Sequence, residues 1–175
     1  TEVAGSGEAG WRRAGPGRVL PGPAAVCRRY TSPSAVTELP TGFGVDEIRS
    51  EQLPIRYNVA PTQPVYAIDE GRSPQAGGAP PRQLGTFRWG LVPSWAKDRS
   101  IASKLINARV ESVASKPAFR KAYAKRRCLI PADGWYEWRT VDAPDGPRKQ
   151  PIYLTPSDGH GIAFAGLYEF WSSET

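Results

Sequence analysis

Val26-Cys27-Arg28-Arg29-Tyr30 marks the point where sequence of low complexity gives way to sequence that can fold. Residues 1–26 contain six glycines and three prolines and few side chains that could fill a core, so they are expected to form a disordered extension. Apolar and aromatic residues recur from Cys27 onward. The sequence therefore predicts an extension over 1–26 and a folded domain over 27–175.

Length and charge set the class of protein. The chain has 175 residues, enough for one domain with a core, and a net charge of +6. The basic excess favours a polyanionic partner, although mildly basic surfaces are also typical of unrelated soluble proteins. A membrane span is excluded because no apolar run reaches about 18 residues. We expect a monomer in a reducing cytoplasm, since two cysteines are too few for a disulfide scaffold.

Residues that hold metals are sparse. Cys27, Cys128 and the single His160 do not make a zinc site, and we expect neither a metal nor a cofactor. Cys128 begins an apolar strand and is predicted to be a small buried hydrophobe. His160 lies between two glycines and is predicted to be structural.

Short extended segments dominate the domain. Strands are predicted where apolar residues alternate or cluster between Pro and Gly breaks, over 56–61, 65–68, 84–91, 105–111, 128–131, 135–138, 151–154 and 161–167. Two helices are predicted, a short one within 30–51 and a longer one over 115–127 with Pro117 in its first turn. This pattern predicts an α+β fold around a mostly antiparallel, barrel-like sheet.

Several polar and aromatic residues are candidates for function. Alternation over 105–111 places Asn107 and Arg109 on one strand face, either as a solvated edge or as a hydrogen-bond donor with a phosphate clamp. Glu137 between aromatics is either an outward strand charge or a carboxyl whose pKa is raised toward that of a general acid. Trp95 is expected to be an exposed ring suited to base stacking, because Lys97 and Arg99 follow it.

Five blocks of sequence, in this order, carry a resemblance. They are CRRY at 27–30, RYNVAP at 56–61, WGLVPSW at 89–95, LINARVE at 105–111 and ADGWYEW at 132–138. Together they resemble the SOS response-associated peptidase family, whose members process abasic sites in DNA. The resemblance runs from Val26 to about Phe170.

The resemblance implies a covalent chemistry for Cys27. In such proteins the cysteine becomes the mature N-terminus, by a step the family is thought to perform on itself. Its amine then attacks the aldehyde of an abasic site in single-stranded DNA, and its thiol closes a thiazolidine ring. Carried over by motif, Cys27 is the nucleophile, Asn107 orients the site, and Glu137 is the acid/base group for peptide release and for proton transfers on the imine.

The resemblance also implies how DNA is held. Arg29 and Arg109 would bind the phosphates that flank the lesion, and Trp95 and Pro61 would shape the pocket for the unstacked strand. The expected partner is single-stranded DNA that contains abasic sites, with no membrane involved.

The sequence departs from the family's pattern at three places. Arg28 stands where the family has Gly. The family's His-x-Arg-x-Pro-like segment is missing, so 27–175 is expected to be an abasic-site processing domain that is incomplete at its C-terminus. Val26 stands where the family has its initiator Met, which suggests a GTG start codon at this position and a misassigned start site for residues 1–26.

Other functions remain open on sequence grounds. Basic charge and an exposed Trp95 would suffice for a non-covalent single-strand-binding module without catalysis. A C-terminally truncated member of the family would be inactive if the missing tail carried a required His. A cysteine hydrolase acting on other proteins is disfavoured, because His160 is poorly placed to activate a thiol.

Overall fold

The computed structural model describes residues 27–32, 42–71, 79–157 and 161–172. The predicted extension over 1–26 and His160 lie outside this part of the chain. No helix in it is long and apolar enough to cross a bilayer. Its elements are β1 (Tyr30–Ser32), β2 (Glu47–Ile48), β3 (Arg56–Val59), β4 (Pro64–Glu70), β5 (Arg82–Arg88), a 3₁₀ helix (Arg99–Lys104), α1 (Arg120–Lys125), β6 (Arg127–Ala132), β7 (Gly134–Val141), β8 (Arg148–Leu154) and β9 (Ile162–Leu167).

The strands form two sheets. One has four strands in the order β3-β1-β7-β8, and the other has five in the order β2-β5-β4-β6-β9. Every strand pair is antiparallel except the short pair β2 and β5. The prediction of an α+β fold with a mostly antiparallel, curled sheet and few helices is confirmed.

The core lies between the two sheets. Tyr30 and Val59 from the four-stranded sheet are buried against Val65 and Ala132 from the five-stranded sheet. Strand β4 is buried on both faces, since Val65 and the three residues after it are all buried. Partly buried side chains surround this cluster, namely Cys27, Phe87, Trp89, Ile130, Trp135, Ile162 and Phe164.

Most predicted strands correspond to observed ones. The segments 56–61, 65–68 and 84–91 match β3, β4 and β5, and the four later segments from 128 onward match β6 to β9. Strand β5 ends at Arg88, before the predicted end, because Trp89 and Gly90 turn away from the sheet.

The strand predicted over 105–111 is wrong. This segment follows the 3₁₀ helix, and the backbone N–H groups of Ser112 and Val113 both donate to the carbonyl of Arg109, at 3.1 and 2.9 Å, so the chain turns there. Asn107 and Arg109 are exposed, but they do not share the face of a strand. Alternation of apolar residues over so few positions does not distinguish a strand from an irregular segment.

The helix predicted over 115–127 is shorter than expected, and much of the one predicted within 30–51 falls outside the described residues. Only Arg120–Lys125 of the segment 115–127 is α-helical, since turns precede it and the chain enters β6 at Arg127. In the segment 30–51, Tyr30–Ser32 and Glu47–Ile48 are strands, and residues 33–41 lie outside the described part.

Candidate active site

Cys27 lies at the entry to the central part of the four-stranded sheet. It precedes β1, which pairs with β3 on one side and β7 on the other. The thiol is half-buried against the core, and its Sγ donates to the carbonyl of Arg29 at 3.3 Å. The folding of β1 between two neighbours therefore fixes the position of the cysteine.

Asn107 holds the main chain of Cys27. Its Nδ2 donates to the carbonyl oxygen of Cys27 at 2.8 Å across 80 residues of sequence. Trp89 supports the segment that carries this amide, because its Nε1 donates to the carbonyl of Ile106 at 2.8 Å. The Trp89 ring also meets the ring of Tyr30 edge to face, with 5.5 Å between centroids.

Gly90 allows this support to form. Its φ of +120° lies in a region that favours glycine, and an added Cβ would come within 2.6 Å of the carbonyl oxygen of Ala102. The next residue, Leu91, donates its N–H to the carbonyl of Leu105 at 3.1 Å. The segment after Trp89 is therefore bonded directly to the one that precedes Asn107.

Glu137 reaches the same region from β7. Tyr30 pairs with Trp135, and the N–H of Tyr136 donates to the carbonyl of Arg29 at 2.9 Å, so the ladder continues past β1 toward Cys27. Glu137 shares the inward face of β7 with Trp135, since side chains alternate along a strand. Antiparallel pairing thus brings a carboxyl beside the cysteine.

The electrostatics of the site connect Cys27 and Glu137. Burial raises the pKa of the Cys27 thiol, and the negative charge of the nearby Glu137 carboxylate raises it further. The hydrogen bond to the Arg29 carbonyl lowers this pKa in part. Partial burial likewise raises the pKa of Glu137. The pair therefore consists of a protonated thiol and a carboxyl whose proton is held more tightly than usual.

A cavity of about 1030 Å³ opens beside the thiol. Cys27, Tyr30, Trp89 and Asn107 contribute to its lining. The space is large enough for a small organic group or a nucleotide to approach the cysteine.

The predicted DNA-binding residues lie on four different segments of the structure. Arg29 donates from Nη1 to Asn58 Oδ1 at 3.1 Å, and Pro61 is half-buried in the turn after β3. Trp95 is 56% exposed and Arg109 is exposed, and neither lines the cavity. The structure thus brings Cys27, Asn107 and Glu137 together and leaves Trp95 and Arg109 at the surface.

The expected pairing of Trp95 with cations takes a different form. The guanidinium of Arg99 stands 5.1 Å from the ring centroid of Trp171, whose Nε1 donates to the carbonyl of Ala96 at 2.8 Å. Arg99 is therefore engaged with a tryptophan that is distant from Trp95 in sequence but is hydrogen-bonded to the carbonyl of Ala96, the residue after Trp95.

Two residues at the site were not identified from the sequence. Tyr30 carries a buried hydroxyl with no hydrogen-bond partner among the described residues, and its pKa is raised by burial and by the Cys27 thiol, while Arg56 opposes the rise. Trp89 was given no role in the site. Both lie within the quoted blocks, but the contact between their rings joins segments far apart in sequence.

The described residues contain no group of three or more His, Cys, Asp or Glu side chains that could hold a metal ion.

Comparison with known proteins identifies relatives over most of the chain. Abasic site processing protein YoaM of Bacillus subtilis is 41% identical over 151 residues, which cover 85% of this chain and 61% of that protein. Abasic site processing protein YoqW of the same organism is 39% identical over 150 residues, 85% of this chain and 62% of that protein. The chain therefore spans a little over three fifths of the length of these relatives.

Solved structures show the same architecture. A protein from Bacteroides thetaiotaomicron superposes with a TM-score of 0.65 at 25% identity, covering 83% of this chain and 61% of that one. A phage-related protein from Bordetella bronchiseptica superposes with a TM-score of 0.58 at 28% identity, covering 81% and 60%.

The family model described as SOS response associated peptidase matches residues 26–175. This match begins one residue before Cys27 and includes every strand, both helices and the Cys27, Asn107 and Glu137 side chains. The chain belongs to the SOS response associated peptidase family.

Proposed function

We propose that this protein senses abasic sites in single-stranded DNA and becomes covalently joined to them through Cys27. The α-amine of an N-terminal Cys27 adds to the ring-opened aldehyde, and loss of one water gives an imine. The thiol sulfur then adds to the imine carbon while its proton passes to nitrogen, which closes a five-membered thiazolidine. Amine, thiol and aldehyde are thus converted to one ring and one water.

The hydrogen bond from Asn107 to the Cys27 carbonyl is the observation that carries this proposal. An amide 2.8 Å from that oxygen fixes the backbone of Cys27 and so restricts the directions that its amine and thiol can take. Both groups must reach the same carbon atom, which makes orientation decisive for the rate. The relatives' names, abasic site processing protein, favour this substrate.

Glu137 suits the proton transfers. A general acid or base works best when its pKa lies near the operating pH, and burial raises the pKa of this carboxyl toward that range. It can give a proton to the departing hydroxyl as the imine forms and accept one as the thiol adds. The same carboxyl can protonate the amine released when the peptide bond before Cys27 is cut.

The chemistry requires a free amine on Cys27. In the chain as it stands, residue 26 occupies that nitrogen as a peptide, so the Val26–Cys27 bond must be broken, or translation must begin there, before an imine can form. We propose that the site hydrolyses this bond itself: a water molecule adds to the Val26 carbonyl carbon, and Glu137 is the acid/base group that takes a proton from the water and gives one to the departing Cys27 amine. The expected products are a peptide that ends at Val26 and a chain that starts at Cys27.

Phosphate binding is assigned to Arg29 and Arg109, and strand positioning to Pro61 and Trp95. The guanidinium of Arg29 donates to the neutral amide of Asn58, which leaves its charge unneutralised by this contact and available for a phosphate. The exposed ring of Trp95 can stack on an unpaired base. A net charge of +6 favours approach to a polyanion.

The test is to incubate protein that starts at Cys27 with a single-stranded oligonucleotide that contains one abasic site. We expect a protein–DNA band that survives denaturing electrophoresis and disappears with Cys27→Ala. Cys27→Ala keeps the α-amine and can form only the imine, which borohydride traps and heat reverses. Cys27→Ser is the matched control, because its hydroxyl is close in size to the thiol but lacks the sulfur that closes the stable thiazolidine. A stable band that forms equally well with Cys27→Ala would refute the assignment.

The same experiment tests the rival function. A non-covalent single-strand-binding module would shift the oligonucleotide in a native gel and leave the intact mass of the protein unchanged. The full chain, assayed in parallel, reports cleavage by a mass decrease equal to residues 1–26. An intact full chain that nevertheless forms the stable band would overturn the role of the amine.

A further inference from the structure

Three tyrosines form a row on the outer face of the four-stranded sheet. Tyr57 on β3, Tyr136 on β7 and Tyr153 on β8 make up this tyrosine row. Tyr57 is 68% exposed and Tyr153 is 44% exposed, and Tyr136 is partly exposed. Tyr136 and Tyr153 face each other across the β7–β8 ladder with ring centroids 5.2 Å apart.

Two of these rings reach sideways across the sheet. The hydroxyl of Tyr136 donates to the carbonyl of Tyr57 at 3.1 Å, although β1 lies between their strands. The hydroxyl of Tyr153 lies 2.9 Å from Oγ1 of Thr31, two strands away. A ring that spans a neighbouring strand must lie over the sheet rather than stand upright, so it turns a π face toward solvent.

Gly134 provides the space for one of them. A Cβ at this position would come within 2.5 Å of the Tyr153 hydroxyl oxygen and within 2.6 Å of its Cζ. The absence of a side chain on β7 therefore allows the Tyr153 ring to lie against the backbone. The Tyr136 and Tyr153 rings are thus held in place before any ligand arrives, which lowers the entropic cost of binding.

The charges on this face have one sign. Strands β1, β3, β7 and β8 contain a single acidic residue, Glu137, and alternation places it on the opposite, inward face. Lys149, opposite Thr140, bonds to that hydroxyl at 2.7 Å and keeps its charge. Trp138, on the same face as Tyr136, adds a further aromatic side chain that is 43% exposed.

Arg29 connects this face with Cys27. It lies opposite Tyr136, since the Tyr136 N–H donates to its carbonyl, and its guanidinium bonds to Asn58, the neighbour of Tyr57. Arg29 is two residues from Cys27. A single strand of nucleic acid whose phosphate contacts Arg29 can therefore continue over the tyrosine row.

We propose that the tyrosine row is a base-stacking platform for the single strand of nucleic acid that continues past the Cys27 site. The proposal rests on the function assigned to Cys27 and adds a second contact region to it. Exposed aromatic rings on a four-stranded sheet stack two or three bases in a known class of RNA-binding module. Aromatic rings bordered by cations suit unpaired nucleotides, because every base has a π face that can stack and every phosphodiester linkage carries a negative charge.

The experiment measures binding of the full chain to an undamaged single-stranded oligonucleotide of about 12 nucleotides by fluorescence anisotropy. Tyr57→Ala removes the most exposed ring of the row and keeps the backbone carbonyl that Tyr136 uses. We expect about tenfold weaker binding, as for loss of one base–aromatic stack. Tyr57→Trp should restore it. The control is Phe170→Ala, which removes a ring of similar exposure, 71%, outside the row.

Several outcomes would overturn the platform. Unchanged affinity in Tyr57→Ala, equal loss in Phe170→Ala, or failure of Tyr57→Trp to restore binding would each do so. Loss of affinity for anionic vesicles but not for the oligonucleotide would assign the row to a membrane surface instead.

A second measurement separates this proposal from the proposed function. Crosslinking of Cys27-start protein to an abasic trinucleotide, too short to reach the row, should be unchanged in Tyr57→Ala. If no crosslink forms but binding of the undamaged strand still depends on Tyr57, only the Cys27 chemistry is refuted. Slower crosslinking of the trinucleotide in Tyr57→Ala would refute a separate platform.

Discussion

Cys27 is held more firmly through its backbone than through its thiol. The Asn107 amide bonds to its carbonyl at 2.8 Å, whereas the thiol makes a longer, weaker bond of 3.3 Å to the Arg29 carbonyl. A sulfur atom that must leave its resting contact to attack an imine is better loosely held. A backbone that must present an amine is better fixed.

Replacing Asn107 with Ala tests this division. The hydrogen bond is exposed, so its loss should lower the free energy of unfolding by about 1 kcal/mol or less. Because the amine loses its orientation, the initial rate of crosslinking should fall by about tenfold or more. Gel assays and thermal melting measure the two effects, and the control is Asn58→Ala. A rate that falls only in proportion to the loss of folded protein would contradict the orienting role.

Replacing Glu137 with Gln should raise the alkylation rate of the Cys27 thiol and lower the rate of crosslinking. The carboxylate raises the pKa of Cys27 above its ordinary value of 9.0, so the neutral amide should lower that pKa while burial still keeps it raised. Alkylation of the thiol by iodoacetamide at pH 8 should therefore become faster than in the wild type. Crosslinking should become slower, because the proton donor is lost.

The pH dependence of alkylation gives the direct measurement. The midpoint for Cys27 should move to lower pH in Glu137→Gln and stay in place in the control Glu111→Gln. A midpoint that does not move would show that the carboxylate exerts no field on the sulfur.

At the scale of elements, the strands could be predicted and the connections could not. Strands β3 to β9 follow from alternation and from Pro and Gly breaks, which are local signals. Asn107 was placed on a strand face, but a hydrogen bond from Trp89 to Ile106 and a turn at Arg109 decide its position. Its predicted role depended on the family resemblance, because contacts across 80 residues leave no periodic pattern.

Gly90→Ala tests the connection between β5 and the Asn107 segment. The new Cβ would meet the Ala102 carbonyl at 2.6 Å in addition to the cost of a positive φ. Gly146→Ala is the matched control, because Gly146 also has a positive φ, of +105°, and open space around it. Denaturant unfolding should show a loss of about 1 kcal/mol for Gly146→Ala and at least 2 kcal/mol for Gly90→Ala. Equal losses of unfolding free energy in the two variants would mean that the backbone around Gly90 can move away from the new Cβ without an energetic cost.

In the molecule as a whole, a buried thiol limits stability at high pH. Cys128 lies in β6 between β4 and β9, and burial first and Asp69 second raise its pKa from 9.0 to about 12. The unfolded chain loses this proton near pH 9.0 and the folded chain only near pH 12. Stability from this group is therefore complete below the lower value and is lost as the pH rises between the two.

Urea unfolding at pH 8 and at pH 10.5 checks this expectation. The contribution of Cys128 to the free energy of unfolding should fall by roughly 2 kcal/mol over this interval, as the difference in proton binding requires, in addition to a loss from tyrosines whose pKa is also raised by burial. Cys128→Ala should start less stable because of the lost packing and fall by less over the same interval. An identical slope in both proteins would assign the alkaline loss to other groups.

The contacts around the cysteine form a closed circuit. The backbone joins Cys27 to Tyr30, and the Tyr30 ring contacts the ring of Trp89. Trp89 donates a hydrogen bond to the carbonyl of Ile106, and the next residue, Asn107, donates one to the carbonyl of Cys27. A displacement of one of these residues shifts the others, so the losses of transition-state free energy caused by substitutions at two of them should not be additive. The double variant Trp89→Phe with Asn107→Ala should lose less activity than the sum of the two single losses, by about 1 kcal/mol in transition-state free energy. We therefore expect Cys27 to be held by a cooperative ring of residues, in which the loss of one contact weakens the others.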